Sequence, residues 1–92
     1  MIISFTDKDT ADLFAGKRVK RFANIASVAE RKLQQLDSAA RLEALRAPPG
    51  NRLEALSGGR KGQHSIRIND QWRLCFVWQE DGVHDVEIVD YH

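Results

Sequence analysis

Residues 72–90 decide the fold and read WRLCFVWQEDGVHDVEIVD. Apolar and polar residues alternate on both sides of Asp81-Gly82, a dipeptide that is typical of a hairpin turn. This alternation predicts two antiparallel strands, each with one face toward a core and the other toward solvent. Upstream, Ser65-Ile66-Arg67-Ile68 alternates in the same way before a turn at Asn69-Asp70, and a shorter strand is predicted at Arg52–Leu56. The C-terminal half is therefore predicted to form an antiparallel meander.

The N-terminal half is predicted to be mainly helical, after a short opening strand at Met1–Phe5. An N-cap box at Thr6–Asp9 begins a first helix, which should end near Ala15. A longer helix follows, because apolar residues recur at intervals of three and four along one face: Ile25, Val28, Ala29, Leu33 and Leu36. A second helical segment follows it and ends at Pro48-Pro49-Gly50, where the prolines cannot continue a helix. Helices followed by a meander predict an α+β fold, in which the helices cover one face of a small, mainly antiparallel β-sheet.

Length and composition restrict the class of protein. A chain of 92 residues predicts a single domain over residues 1–92 with a modest core. Cys75 is the one cysteine, which excludes an internal disulfide, and its place in an apolar run predicts a buried thiol and a cytoplasmic protein. No apolar stretch approaches the ~18–20 residues of a membrane span, so we expect no membrane contact. His64 and His84 have no His or Cys at ligand spacing, so we expect neither a metal site nor a cofactor.

The charge is unevenly distributed, although the net charge is only +1. Residues 46–78 carry six basic and two acidic side chains, whereas residues 79–92 carry five acidic and no basic ones. A locally basic segment is able to hold a phosphate backbone even in a nearly neutral molecule. The same charges also fit an ordinary solvated face, and composition alone leaves both interpretations open.

The strand alternation brings candidate catalytic residues to one side of the sheet. If the aromatic residues of the strand at 72–78 face the helices, Arg73 and Arg67 point to the opposite, open face. The last strand could then bring Tyr91 or His92 beside them. Cleavage of RNA by its own 2′-hydroxyl needs a base, a cation for the phosphorane and an acid for the departing 5′-oxygen. Imidazole, guanidinium and phenol groups are able to fill these roles, because imidazole titrates near neutral pH and arginine binds phosphate bidentately.

Each of these residues also has a purely structural interpretation. Tyr91 could be a packing residue, Asp90 could blunt the sheet edge instead of orienting the imidazole, and His92 could be disordered. Chemistry alone leaves the catalytic and the structural interpretations open.

A longer stretch is more specific than any single residue. Residues 48–76, PPGNRLEALSGGRKGQHSIRINDQWRLCF, followed by the final DYH, resemble the HigB-type toxins of the RelE/ParE superfamily of bacterial toxin–antitoxin systems. The resemblance covers essentially the whole chain. It implies a small endoribonuclease that cleaves mRNA in the ribosomal A site and is held inactive by a cognate helix-turn-helix antitoxin of the HigA type. The implied partners are thus the antitoxin, the ribosome and mRNA.

The resemblance also assigns site residues. Asp90, Tyr91 and His92 match the family's C-terminal active-site motif. Arg73 matches its strand arginine, the phosphate clamp, and Gln71 lies where a polar side chain helps to read a base. We therefore expect the terminal imidazole to act as general acid, with its two neighbours orienting it or the substrate.

The chain departs from the family pattern at Glu54. A relative has a histidine and a lysine, in L-H-P-L-K-G, where this chain reads LEALSG at residues 53–58. Glu54 is therefore the candidate general base, or else an ion-pair partner of Arg52 or Arg60. The missing imidazole and ammonium predict a slower or more ribosome-dependent nuclease.

Other cations are expected to contact phosphates of RNA or rRNA, namely Arg60, Lys61 and Arg67. Fold alone does not establish nuclease activity. The alternative is a non-enzymatic growth inhibitor on the same fold, which binds the ribosome and its rRNA, or DNA gyrase.

Overall fold

The computed structural model describes residues 1–91 and places two α-helices before a four-stranded antiparallel sheet. The elements, numbered in chain order, are α1 (Lys8–Phe14), α2 (Ala26–Ser38), β1 (Glu54–Ala55), β2 (His64–Arg67), β3 (Trp72–Gln79) and β4 (Gly82–Asp90). The strands are hydrogen-bonded in the order β1-β2-β3-β4. The predicted α+β fold, with helices on one face of an antiparallel sheet, is confirmed. Within residues 1–91, neither helix is long and apolar enough to cross a membrane.

The strand register confirms the two faces that the alternation predicts. β2 and β3 pair Ile66 with Leu74 and Arg67 with Arg73, so the two arginines stand side by side. Leu74 also pairs with Ile88 on β4, and these three apolar side chains are buried in the core. Because neighbouring residues point to opposite faces of a sheet, the arginines lie on the face away from the helices. We call this side of the sheet the open face.

α2 supplies the helical side of the core. Its residues Ala29, Leu33 and Leu36 are buried at the spacing that the sequence predicts. Burying one leucine contributes about 1.5–3 kcal/mol relative to leaving it exposed, so this row is a principal source of stability. α1 is tied to the sheet by Thr10, whose hydroxyl accepts a 3.1 Å hydrogen bond from the backbone N–H of Ile88.

The first helix begins one residue later than its capping signal predicts. Asp7, not Thr6, is the N-cap of α1, and its carboxylate accepts a 3.0 Å hydrogen bond from the Thr10 backbone N–H. A carboxylate also interacts favourably with the positive end of the helix dipole. The Thr6 hydroxyl donates instead to the backbone carbonyl of Asp85, at 3.1 Å.

Two further segments differ from the sequence prediction. The helical segment predicted to follow α2 is a 3₁₀ helix over Leu42–Arg46, because the backbone becomes extended at Ala39. Met1–Phe5 is not a regular strand, although it does join the sheet at the β4 edge. It runs parallel to β4 and forms two isolated bridges, Ile2 with Val83 and Phe5 with Val86.

A buried asparagine fixes the chain between α2 and β1. Asn51 is fully buried, and its side chain makes four hydrogen bonds to other described residues. The partners are the backbone carbonyls of Leu45 and Ala47 and the side chains of Lys32 and Gln35 on α2. Directly after it, Arg52 has a left-handed backbone (φ 47°, ψ 55°), which cannot continue a strand. For this reason the strand predicted at Arg52–Leu56 is restricted to Glu54–Ala55.

Candidate functional site

The open face carries two rows of side chains that cross the sheet. The strand pairings place Glu54, Ser65, Cys75 and Glu87 in one row, contributed by β1, β2, β3 and β4 in turn. The neighbouring row contains Arg67, Arg73 and Val89. Arg60 reaches the first row from a 3₁₀ turn that follows β1. The open face thus brings cations and carboxylates together from every strand.

Arg73 lies at the centre of the open face, with its side chain only 11% exposed. Its Nε donates to the Ser65 hydroxyl at 2.8 Å, and its Nη2 donates to the Arg52 backbone carbonyl at 2.8 Å. The same Nη2 lies 3.3 Å from a carboxylate oxygen of Glu54. Within residues 1–91 the polar contacts of this guanidinium involve Nε and Nη2, which leaves Nη1 able to donate to a phosphate oxygen.

Tyr91 lies beside Arg73, where the strand pairing predicts that one of the last two residues should be. The guanidinium carbon is 5.8 Å from the centre of the Tyr91 ring, within the range of a cation–π contact. The Tyr91 backbone N–H donates to the Gln71 carbonyl at 2.6 Å and so prolongs the pairing of β3 with β4. Tyr91 is 41% exposed, so a substrate can reach it. His92 lies outside the described residues.

Asp90 is on the other side of the sheet from Arg73. It pairs with Trp72, whose ring packs edge-on against Phe22. The side-chain N–H of Gln71 donates to an Asp90 carboxylate oxygen at 3.2 Å. The structure therefore brings Asp90 to Gln71, on the face of the sheet opposite to that of Arg73.

Glu54 is ion-paired with Arg73, whereas the alternative interpretation from the sequence gave it Arg52 or Arg60 as partner. That choice of partner is wrong, because Arg60 donates to the carboxylate of Glu87 at 3.2 Å. The contribution of Arg52 to the open face is its backbone carbonyl. The Glu54 side chain remains half-exposed, so it is accessible to a substrate hydroxyl.

The other residues predicted to contact RNA lie around this centre. Arg67 is ion-paired with Asp70, three residues along the chain in the β2–β3 turn. Lys61 is exposed in the turn after Arg60. Arg67 therefore lies where an RNA strand crossing the open face could meet it, and Lys61 is the chain neighbour of Arg60, which reaches the same face.

Cys75 forms the floor of the open face and is fully buried, as its place in an apolar run predicts. Burial is the main cause that raises the pKa of its thiol above the ordinary value of 9.0. The neighbouring carboxylates act in the same direction, and the arginine charges act against it. The thiol therefore stays protonated and unreactive at neutral pH. Within residues 1–91, no group of three or more His, Cys, Asp or Glu residues is arranged to hold a metal ion.

Sequence reasoning missed Ser65, Glu87 and the Arg52 carbonyl as parts of this site. Each of the first two immediately precedes a buried isoleucine, so strand alternation applied to every position would have placed both on the open face. The carbonyl could not have been found in this way, because no side-chain pattern reports a backbone acceptor.

The arrangement is suited to an anion whose charge increases during a reaction. A guanidinium that is held by several fixed partners needs little reorganisation to stabilise a phosphorane. A half-exposed carboxylate and an exposed phenol lie next to it, at 3.3 Å and 5.8 Å from the guanidinium respectively. The open face therefore offers an acceptor for a proton and a clamp for a phosphate.

Comparison with known proteins decides the family. The family model described as the RelE-like toxin of type II toxin-antitoxin system HigB matches residues 3–92. The chain belongs to the HigB toxin family. The resemblance seen in the sequence is confirmed, and this HigB-family chain is a toxin of a type II toxin–antitoxin system.

Two relatives and one solved structure are consistent with this assignment. The HigB-family chain is 42% identical over 85 residues to Toxin HigB-1 of Vibrio cholerae, which covers 90% of this chain and 88% of the relative. It is 33% identical over 64 residues to an uncharacterized protein of Haemophilus influenzae, covering 70% of this chain and 63% of that protein. The YoeB-YefM complex from Staphylococcus aureus has a similar fold, with a TM-score of 0.63 over 100% of this chain and 95% of that one. At 19% sequence identity, this last likeness concerns the fold.

Proposed function

We propose that this HigB-family toxin is an endoribonuclease that cleaves mRNA in the A site of the ribosome and thereby inhibits translation and growth. The observation that carries the proposal is the guanidinium of Arg73, held in place on an accessible sheet face beside Tyr91. Attack by the 2′-oxygen needs a base, an acid and a cation, all of which side chains can supply. We therefore propose a mechanism without a metal ion or cofactor.

The proposed reaction is a transesterification at one phosphodiester. A base removes the proton of the 2′-hydroxyl, the 2′-oxygen forms a bond to phosphorus, and the bond between phosphorus and the 5′-oxygen breaks. An acid protonates the departing oxygen, which leaves a 2′,3′-cyclic phosphate and a 5′-hydroxyl end. Glu54 is the proposed base, His92 the proposed acid, and Arg73 the cation that stabilises the phosphorane.

The remaining predicted residues are proposed to act around this centre. Tyr91 lies next to the guanidinium, and we propose that it orients the substrate. Asp90 holds the side chain of Gln71 at 3.2 Å, so we propose that it positions this base-reading residue and does not contact the phosphate. Phosphates on either side of the cleaved bond are proposed to meet Arg60, Lys61 and Arg67.

The proposed partners are a cognate helix-turn-helix antitoxin of the HigA type, the ribosome and mRNA, and the proposed location is the cytoplasm. Membership of a toxin–antitoxin family supports the antitoxin as a partner. The similar YoeB structure is itself a complex, with YefM.

Mapping of mRNA 5′ ends in a purified translation reaction tests the proposed function. The intact chain is compared with His92→Ala and Arg73→Ala, with and without ribosomes. New ends inside codons are expected only with ribosomes, and removing the phosphate clamp should reduce their rate of formation by about 100-fold or more. Arg41→Ala is the matched control, because Arg41 is an exposed arginine in the segment between α2 and β1.

Two outcomes would contradict the nuclease. If no new mRNA ends form, the chain is not a nuclease: arrested translation would then indicate binding to the ribosome, and unaffected translation would indicate another target, such as DNA gyrase. If Arg73→Ala cleaves as fast as the intact chain, the catalytic centre lies elsewhere on the molecule.

A further inference from the structure

Every arginine of the open face is already matched by a carboxylate before any RNA is bound. Arg60 pairs with Glu87 at 3.2 Å, Arg73 pairs with Glu54 at 3.3 Å, and Arg67 pairs with Asp70. A surface that binds free nucleic acid normally presents unpaired cations, since the release of counterions from the phosphates supplies most of the affinity. Here a phosphate must compete with a carboxylate for each arginine, so the net gain from each contact is small.

The three carboxylates differ in how far they are shielded from solvent. The side chain of Glu87 is 29% exposed, whereas those of Glu54 and Asp70 are 52% and 98% exposed. Ion pairs shielded from solvent are screened less by salt and interact more strongly than exposed ones. The pair of Glu87 with Arg60 therefore has the most shielded carboxylate of the three, and the side chain of Gln63 supports it by accepting a 3.0 Å hydrogen bond from the same guanidinium nitrogen.

Glu87 also has no part in the proposed chemistry. It lies in the row of Cys75, while the row of Arg73 is completed on β4 by Val89, two residues further along the strand. The proposed base is on β1, at the opposite edge of the four-stranded sheet. The position of Glu87 thus fits an electrostatic role at the border of the substrate path.

We propose that Glu87 is a specificity-determining residue that suppresses the binding of free RNA. Its carboxylate holds Arg60 and cancels the arginine's charge, so that mRNA binds well only when a larger surface presents it at high effective concentration. This inference rests on the proposed function, since it supplies a physical reason for dependence on the ribosome. It assigns that dependence to one carboxylate of the site and not to the net charge of the molecule.

Glu87→Gln tests the proposal, because glutamine keeps the shape and the hydrogen-bond acceptor while removing the charge. The probe is a short single-stranded RNA with a 2′-O-methyl group on every ribose, which cannot be cleaved by 2′-oxygen attack. Its affinity is measured by fluorescence anisotropy over a series of salt concentrations. Glu80→Gln is the matched control, since it removes the same charge from an exposed position in the β3–β4 turn.

Glu87→Gln should bind the probe about two- to fivefold more tightly than the unchanged protein at low salt, the range expected for one surface ion pair. The plot of log affinity against log salt should become steeper by about 0.7, because one more cation is free to neutralise a phosphate of a single strand. The control should change neither the slope nor the affinity by a comparable amount.

Unchanged or weaker binding by a folded Glu87→Gln protein would overturn the proposal. If that variant does not fold, Glu87→Thr decides the question in its place, because threonine is uncharged and suits a strand. It should tighten probe binding in the same direction, and unchanged or weaker binding by the folded threonine variant would overturn the proposal. Because the probe cannot be cleaved, the result is independent of the nuclease test, and either conclusion can fail without the other.

Discussion

Replacing Ser65 with alanine should release Arg73 from a buried hydrogen-bond acceptor. Ser65 is fully buried, and its hydroxyl accepts a 2.8 Å hydrogen bond from Nε of the arginine. A hydrogen bond to a charged group contributes about 1.5–3 kcal/mol, so Ser65→Ala should lower the free energy of unfolding by about that amount. In a domain of this size each 1 kcal/mol lowers Tm by roughly 4–8 °C, so a fall on the order of 10 °C is expected.

Unfolding by heat and by urea, followed by circular dichroism, measures this loss. Ser57→Ala is the matched control, because Ser57 is exposed. Ser65→Thr keeps the hydroxyl and should retain more of the stability than Ser65→Ala does. The rate of mRNA cleavage should also fall, by about tenfold or more, since a small misplacement of a catalytic group costs up to about 100-fold.

A double-mutant cycle with Arg73→Met identifies the cause. If the hydrogen bond is responsible, Ser65→Ala should have a much smaller effect on stability once the arginine has been replaced. Equal losses in both backgrounds would refute the reasoning, because the hydroxyl would then act through contacts other than Arg73.

Two further predictions concern the packing of the sheet. Gly82→Ala should destabilise the protein by more than about 1 kcal/mol, because Gly82 has φ 144° and an added Cβ would lie 2.7 Å from the Met1 carbonyl oxygen. Gly59→Ala, where nothing lies within 4 Å, is its control, and an equal effect of both on urea unfolding would show that the clash is not the cause. The raised pKa of Cys75 contributes stability that is fully present below pH 9.0 and is lost as pH rises above it toward the pKa of the folded state. Above pH 9.0 the free energy of unfolding, measured with urea, should therefore fall more steeply with pH for the unchanged protein than for Cys75→Ala. Parallel plots of this free energy against pH for the two proteins would contradict the prediction.

Alternation and turn residues were sufficient to predict which face of the sheet carries the arginines. The turn at Asn69-Asp70 is short, so β2 must return beside β3 with Arg67 close to Arg73. The position of Tyr91 follows in turn, because β4 lies beside β3. Because successive residues of a strand point to opposite faces, Asp90 and Tyr91 lie on opposite sides of the sheet, although the family motif groups the two residues as one unit.

A bulge limits how far alternation can be followed along β4. Asp85 and Val86 together oppose Phe76, and Asp85 has a left-handed backbone with φ 52°. The extra residue reverses the alternation, so that Val83 and Val86 both face the core although they are three residues apart. The sequence offers only a weak signal for this bulge, since aspartate is merely one of the residues that tolerate a left-handed conformation.

The partners of the charged residues could not be predicted from the sequence. Arg60 and Glu87 are 27 residues apart and meet only in the assembled sheet, where β2 and β3 lie between β1 and β4. Glu54 reaches Arg73 through the register of β1, which has only two residues and no strong pattern of its own. Such pairings depend on the assembled sheet, and local propensity does not report them.

The contact of the first residues with β4 also constrains when the protein can acquire its structure. Backbone hydrogen bonds join Ile3 to Val83 and Thr6 to Val86 across most of the length of the chain. During synthesis these partners cannot meet until β4 has emerged from the ribosome, and contacts of such long range form late in folding. The open face needs β4 as well, because that strand carries Glu87 and leads to Tyr91. A toxin that is proposed to act on the ribosome therefore has no assembled site until β4 has been synthesised and has emerged from the ribosome that makes it.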